Sequence, residues 1–423
     1  MSEEVIRNNS VVETPRVSMS LRKVILALQH LIAMFGATVL VPVLTGFDTS
    51  VALVSAGVGT LIFHAVTKKK VPVFLGSSFA FIGGIIAVKE AHNGDLAYAQ
   101  GGIVVAGLLY ILVSFIIRKI GVDFIKKYLP SHVIGPMIIV IGLNLVPVAF
   151  GMASEHFVLA SVTLGTALII NFFTKGFIKQ LSILIGVAAG YTLAYMLGEV
   201  NPAAMTNAPI FAIPSFTLPK FSLSAIAVLA PIVLAVFMEH VGDITTNGQV
   251  VGKDFVTNPG LNRTFLGDGI ATVFAGLVGG PANTTYGENT GVLAITKNND
   301  HSILRLSAVF AIILGFLAKI GGFMGTIPTP VMGGISMMLF SMIALVGVQT
   351  LKNNKMEFSA TNTIVIIAII VLGLWESYFQ NVTGIQIGIR INEAVSITGL
   401  SLAAIVGVVL NIVLTMVSSK KKA

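Results

Sequence analysis

The chain contains no cysteine, which excludes a disulfide framework and any thiolate metal site. Charge is scarce: Asp, Glu, Lys and Arg make up only 10% of the 423 residues, against about 25% in a typical soluble domain. There is no Walker loop, no Gly-x-Ser-x-Gly elbow and no His-Glu-x-x-His helix, and the seven histidines form no zinc-ligand spacing. ATP-driven, hydrolytic and metal-dependent chemistry therefore lack support, and neither an enzyme nor a bound cofactor is expected. What the chain has in abundance is apolar sequence: 55% of its residues are hydrophobic and the mean hydropathy is +0.92. Runs of about 20 apolar residues span a bilayer as helices, because a helix satisfies its own backbone polar groups. The fold class read from this is an all-α polytopic membrane protein, with the lipid bilayer as its surroundings.

Fourteen candidate spans can be placed, at about 24–44, 50–66, 71–89, 99–117, 128–150, 157–175, 178–198, 222–242, 264–280, 281–296, 303–324, 327–349, 361–377 and 395–418. Residues 1–20 are polar and mixed in charge and lack the pattern of a signal peptide, so the first apolar stretch is expected to be a retained span. The net charge of +8 would suit a nucleic-acid partner, but its distribution argues otherwise. With fourteen spans, all of the 26 basic residues except Lys89, Lys220, Lys319 and Arg390 fall on the side that holds both termini. Basic residues accumulate in cytoplasmic loops. Both termini are thus expected in the cytoplasm, and no nucleic acid is expected.

Three sequence echoes indicate an internal duplication. Gln29-His30 pairs with Glu239-His240, the stretch from Pro72 to Phe79 with that from Pro281 to Glu288, and Pro130–Gly135 with Pro328–Gly333. They relate spans one, three and five to eight, ten and twelve. Seven spans per copy is odd, so the copies are inverted repeats, a transporter signature that puts substrate on broken helices near the midplane. The candidates for breakage are spans three and ten. Val71–Gly84 and Gly279–Val292 each start near Pro and carry Gly and hydroxyl residues in the middle, and both features oppose helix. Irregular backbone at membrane depth survives only where it is buried or lines a cavity.

The carboxylates converge on the same region. Of eighteen acidic residues, Glu239, Asp243 and Glu288 lie inside spans, with Asp268 and Glu376 nearer the edges. A carboxylate at the bilayer centre costs about 2.5–3.5 kcal/mol on the insertion scale. Glu239 and Asp243 are four residues apart and share a helix face, with Asp243 near the end of its span. His240 is expected to be a buried histidine bonded to backbone, whereas His30 is a candidate for holding the site. Trp375 and Tyr378 suit interface anchors.

Glu288-Asn-Thr-Gly-Val-Leu-Ala-Ile-Thr-Lys297 resembles the signature of the nucleobase–ascorbate transporter family, also called nucleobase:cation symporter-2: an acidic or amide residue, Asn-x-Gly, four residues, then Thr and a basic residue or Gly. Glu288, Asn289, Gly291, Thr296 and Lys297 occupy its fixed positions. Gln29-His30 and Gly76–Phe81 are similar to the family's segments in spans one and three, and the likeness runs from about Leu21 to Val417. The initial Glu and the Asn283–Glu288 approach resemble the uracil-carrying branch. The chain differs from some of that branch at Asp243, elsewhere His, and at Phe340, elsewhere Tyr.

The resemblance implies a cytoplasmic tail (1–20), a core domain of spans one to four and eight to eleven (21–120 and 222–325), and a gate domain of spans five to seven and twelve to fourteen (126–198 and 326–418). It further implies short strand pieces in spans three and ten, a homodimer, uracil as substrate and H+ as coupling ion; the expected membrane, from the short loops and the absence of a transit-peptide pattern, is a bacterial cytoplasmic (inner) one. The implied substrate set is Phe79, Ser78, Glu239, Tyr286, Gly287 and Glu288; the implied proton-coupling set is Glu239, Asp243 and His30. Carboxylates would accept from the ring N–H groups, amides at the broken helices would donate to the carbonyls, and Phe79 would cover the ring face. The alternatives are xanthine or another nucleobase, or, from a different class, an anion exchanger or channel on the same fold. An anion carrier favours a basic or neutral site over two carboxylates.

Overall fold

The computed structural model describes residues 19–121, 129–353, 359–392 and 395–422. Most of the expected N-terminal tail and the start of the segment expected from 126 therefore lie outside the described residues. The first part of the chain forms α1 (Met19–Thr45), α2 (Thr49–Val66), β1 (Leu75–Ser77), a 3-10 turn at Phe79–Phe81, α3 (Ile82–Ala91) and α4 (Ala97–Ile120). There follow α5 (Ser131–Asn144), α6 (Val146–Ser154), α7 (Phe157–Phe173), α8 (Gly176–Gln180), α9 (Ser182–Met196) and α10 (Ala203–Asn207). The later part contains α11 (Leu223–Leu229), α12 (Ile232–Val251), α13 (Leu261–Val278), β2 (Asn283–Thr285) and α14 (Gly287–Thr296). It continues with α15 (His301–Phe316), α16 (Ala318–Met324), α17 (Thr329–Asn353), α18 (Ala360–Leu374) and α19 (Gln380–Thr383), and ends with β3 (Gly388–Asn392), β4 (Val395–Thr398) and α20 (Gly399–Lys422).

Local chemistry sets the helix starts. Asp48 accepts from the amides of Ser50 and Val51 and caps α2. Ser222, Asp300 and Ser359 do the same for α11, α15 and α18, each satisfying a donor that a helix leaves orphaned. Helix packing follows where side chains are small. α4 runs along α13, and α2 along α13 and α15. A side chain at Gly107 would collide with the backbone of Gly269 and Val273, so that crossing brings two backbones together. Elsewhere α5 packs on α17 and α18, and α7 on α9 and α17.

Eight helices among the described residues are long and apolar enough to cross a membrane, nine if α15 and α16, bent by 78°, count as one. The chain is a helical, multi-pass membrane protein. Length and composition alone do not reach fourteen spans, since α7 and α9 are shorter apolar helices and α3 and α14 have ten residues each.

Two corrections concern boundaries. The span expected to end at 242 continues as α12 to Val251, where some of its polar residues find partners inside the protein. Asn247 Nδ2, for instance, donates to Pro72 O and Thr290 Oγ1. Asp243 is thus well inside the helix. The span placed from 395 starts at Gly399 instead; residues 388–392 and 395–398 form an antiparallel hairpin. Its alternating β-branched residues suit a strand pair.

Beyond α10, an extended stretch crosses the ends of three helices. Ala212 N donates to Phe316 O, Thr217 N to Val278 O and Lys220 N to Ala97 O. Lys220 Nζ also pairs with Asp95 Oδ2 at 2.8 Å.

Candidate functional site

β1 and β2 come from sequence-distant parts of the chain and pair antiparallel, with Leu75 opposite Thr285, Gly76 opposite Thr284 and Ser77 opposite Asn283. Ser78 N donates to Ala282 O and Tyr286 N to Phe74 O, so the ribbon satisfies its own backbone at depth. Each strand then turns into a helix: β1 into the 3-10 turn and α3, β2 into α14. The first amides of a helix lack intrahelical partners and carry partial positive charge. Phe79 and Gly287 stand at these two starts.

A cavity of about 850 Å³ opens beside them. Its walls include Phe79 and Tyr286–Glu288 from the ribbon ends and Glu239 and Asp243 from α12. Opposite them stand Ile134 and Ile138 of α5, Ile183 of α9, and Leu339 and Met342 of α17. The cavity continues to a polar mouth at Lys179, Gln249, Asp254 and Gln349. At the other end it is closed by apolar packing: Phe79 meets Phe340 of α17 edge-on, ring centroids 5.9 Å apart, within a cluster that also holds Met34, Leu40, Ile335 and Leu339.

Five of the six expected substrate residues therefore line one cavity. The sixth, Ser78, is fully buried just behind it. Tyr286 is pinned by its hydroxyl, which donates to Ser77 O at 2.9 Å, and its ring lies where a side chain at residue 76 would stand. Only glycine fits there. Asp243 Oδ2 accepts from Thr285 Oγ1 at 2.8 Å, whereas Glu239 Oε2 has no hydrogen-bond partner among the described residues.

His30 is placed differently. It is buried and absent from the cavity wall. Asn289 Nδ2 donates to His30 O at 3.0 Å and lies 3.2 Å from its Nδ1. The signature Asn and His30 thereby join α14 to α1, an indirect link to the site. Gly291 faces the open cavity. Thr296 bonds back to Val292 O, and Lys297 ends α14 in left-handed backbone.

Two side chains are placed differently from expectation and join α12 to α13. His240 is bonded to side chains, not to backbone: its Nδ1 lies 2.8 Å from Asp268 Oδ2 and its Nε2 2.8 Å from Thr264 Oγ1. Asp268, expected near a span edge, is fully buried in α13. A buried carboxylate persists because a partner compensates its desolvation. Sequence reading also missed Thr285 as the partner of Asp243. The only signal was the cluster of hydroxyls at 284–285, which the sequence had presented as a helix-breaking feature.

Comparison with known proteins places this architecture. The fold is shared with the transmembrane domain of a cyanobacterium bicarbonate transporter, BicA, at a TM-score of 0.62 and 16% identity, covering 86% of this chain and 98% of that one. It is also shared with SLC26A9, at a TM-score of 0.68 and 10% identity, covering 94% of this chain and 66% of that one. Closer in sequence are a probable uracil permease of Haemophilus influenzae, 41% identical over 403 residues (93% of this chain, 94% of the relative), and the uracil permease of Bacillus caldolyticus, 41% identical over 405 residues (92% and 91%). The uracil permease of Escherichia coli K12 is 37% identical over 412 residues (94% and 92%). The model of the Permease family matches residues 21–382, and the chain belongs to that family.

Proposed function

We propose that this chain is a secondary active transporter that imports uracil by proton symport. The observation that carries the reading is the convergence of Glu239, Asp243 and Glu288 with two helix starts on one cavity inside the membrane-spanning body. Carboxylates accept from ring N–H groups, and helix-start amides donate to ring carbonyls. Phe79 supplies an aromatic face at the cavity's closed end. Relatives named uracil permeases support this substrate over xanthine or another nucleobase. An anion exchanger fits poorly, because three carboxylates would repel its cargo.

In this reading the fourteen segments form two inverted sets of seven, with the β1–α3 and β2–α14 units as broken spans three and ten. Residues 21–120 and 222–325 make the core; 126–198 and 326–418 make the gate. Transport moves one against the other, so that the site meets each side in turn. The polar mouth lies at the ends rich in lysine, Lys175, Lys179, Lys253 and Lys352, so the cavity faces the cytoplasm, with both termini on that side of a bacterial inner membrane. Glu239, with an oxygen left for a proton or a ring N–H, carries the coupled proton with help from Asp243. The protein works as a homodimer, with H+ as its coupling ion.

The test is uptake of labelled uracil into sealed proteoliposomes, with and without an inward proton gradient, with unlabelled xanthine and sulfate as competitors. Gradient-driven uptake blocked only by uracil is the expected result. Blockage by xanthine moves the substrate to purines, and no uptake in either condition overturns the proposal.

A further inference from the structure

The geometry points to Thr284 as an additional substrate-binding and specificity-determining residue, one whose hydroxyl donates to a ring carbonyl of the cargo. This rests on the uracil reading above and deepens it. The three polar side chains of β2 are treated differently by the fold. Asn283 Nδ2 is bonded to Ser55 O at 3.0 Å and contacts Ala271 O at 3.4 Å, and Thr285 is committed to Asp243. Thr284, between them, is 1% exposed, lines the cavity, and its Oγ1 has no hydrogen-bond partner among the described residues. A buried hydroxyl left unpaired is costly. Valine has nearly the same shape, suits a strand at least as well and avoids that cost. A hydroxyl kept here therefore serves a partner that arrives from the cavity.

The helix-start amides supply backbone donors, and the chemistry of Thr284's partner follows from what the carboxylate side chains lack. Ionised Glu239 and Glu288 are acceptors only and can meet N–H groups, not carbonyls. A threonine hydroxyl donates. Beside the carboxylates it completes recognition of a cyclic amide edge, on which N–H and C=O alternate. Such a site rejects an analogue whose carbonyl is replaced by a poor acceptor, because the donor is then left unpaired.

The experiment measures KM and maximal rate of uracil uptake in proteoliposomes for the wild type, Thr284→Val and Thr284→Ser, with 2-thiouracil and 4-thiouracil as competitors. Thr284→Val should raise KM for uracil about tenfold, as loss of one well-made hydrogen bond in a dry site does. Thr284→Ser, which keeps the hydroxyl, should stay within about twofold of the wild type. One of the two thio analogues, the one altered at the bonded carbonyl, should lose less than uracil in the valine variant. An unchanged KM in Thr284→Val, or an equal loss in Thr284→Ser, overturns the assignment. A wild type without saturable uracil uptake overturns the uracil reading itself, and this inference with it. If Thr284→Val is not monodisperse after extraction, Thr284→Ala replaces it under the same criteria.

Discussion

Thr285 on β2 donates its hydroxyl to Asp243 Oδ2 on α12 at 2.8 Å. This bond ties the strand ribbon to the helix that carries Glu239. Removing it in Thr285→Val leaves a largely buried carboxyl group without that partner, at a cost of about 1–3 kcal/mol. Gradient-driven uptake at subsaturating uracil should fall about tenfold or more, and Thr285→Ser should restore most of it. Equal rates in Thr285→Val and the wild type would show that the bond is idle.

Glu239 and Glu288 should separate by function. Glu239→Gln keeps the shape and one acceptor oxygen but cannot carry a proton, so it is expected to bind uracil while uptake no longer responds to the proton gradient. Glu288→Ala should lose binding outright. Measured binding of uracil alongside uptake at two gradients checks both; uptake by Glu239→Gln that still scales with the gradient rejects its role.

Gly76 is kept free of a side chain by the ring of Tyr286. In Gly76→Ala the added methyl must displace that ring, costing about 1–3 kcal/mol as overpacking does. Loss of uracil uptake with the protein still extractable is expected. Tyr286→Phe, which retains the ring and loses the hydroxyl's bonds to Ser77 O and to the Thr38 side chain, should be the milder change.

The His240–Asp268 pair is wholly buried, its two atoms 2.8 Å apart. Breaking it from one side in Asp268→Asn or His240→Asn should cost about 3–5 kcal/mol, because the other partner is stranded. Replacing both by apolar residues of similar volume should cost less than either single change. Melting temperatures in detergent, arranged as a double-mutant cycle, measure the difference.

At the ends rich in lysine, Lys23 Nζ pairs with Asp300 Oδ2 at 2.9 Å and joins α1 to α15. The bond from Lys23, with further bonds from Ser302, lowers the Asp300 pKa from its ordinary value of 3.8 to about 2. A depressed carboxylate contributes stability above its ordinary value and loses it as pH falls through the lowered one. The pair is therefore intact from pH 5 to pH 8. Both side chains are more than a third exposed, so Asp300→Asn should cost under about 1 kcal/mol. That small loss in melting should be equal at pH 5 and pH 8; a loss that grows across this range refutes the assignment.

The helical membrane class was legible in composition, because apolar runs leave few alternatives. The site was legible in part. Glu239, Asp243 and Glu288 stand out as charges at depth, and glycine, proline and hydroxyl clusters mark the two stretches where helix gives way to strand. What escaped reading depends on partners distant in sequence. His240 looks the same on paper whether it meets backbone or Asp268, and nothing local in Thr285 names Asp243. The hairpin of β3 and β4 escaped because a short run such as Val395–Thr398 reads equally well as the start of the apolar helix that follows it.

The pairing of β1 with β2 also bears on how the chain is made. Leu75 leaves the ribosome about 210 residues before its strand partner Thr285. Until then the backbone groups of β1 have no strand to bond, in surroundings where an unpaired peptide is expensive. The nascent first half must keep that stretch hydrated or shielded by the insertion machinery, and the binding site is completed only when the second half arrives. Stalling or truncation before β2 is translated thus yields helices in the membrane but no site, and exposes a strand edge to quality-control proteases.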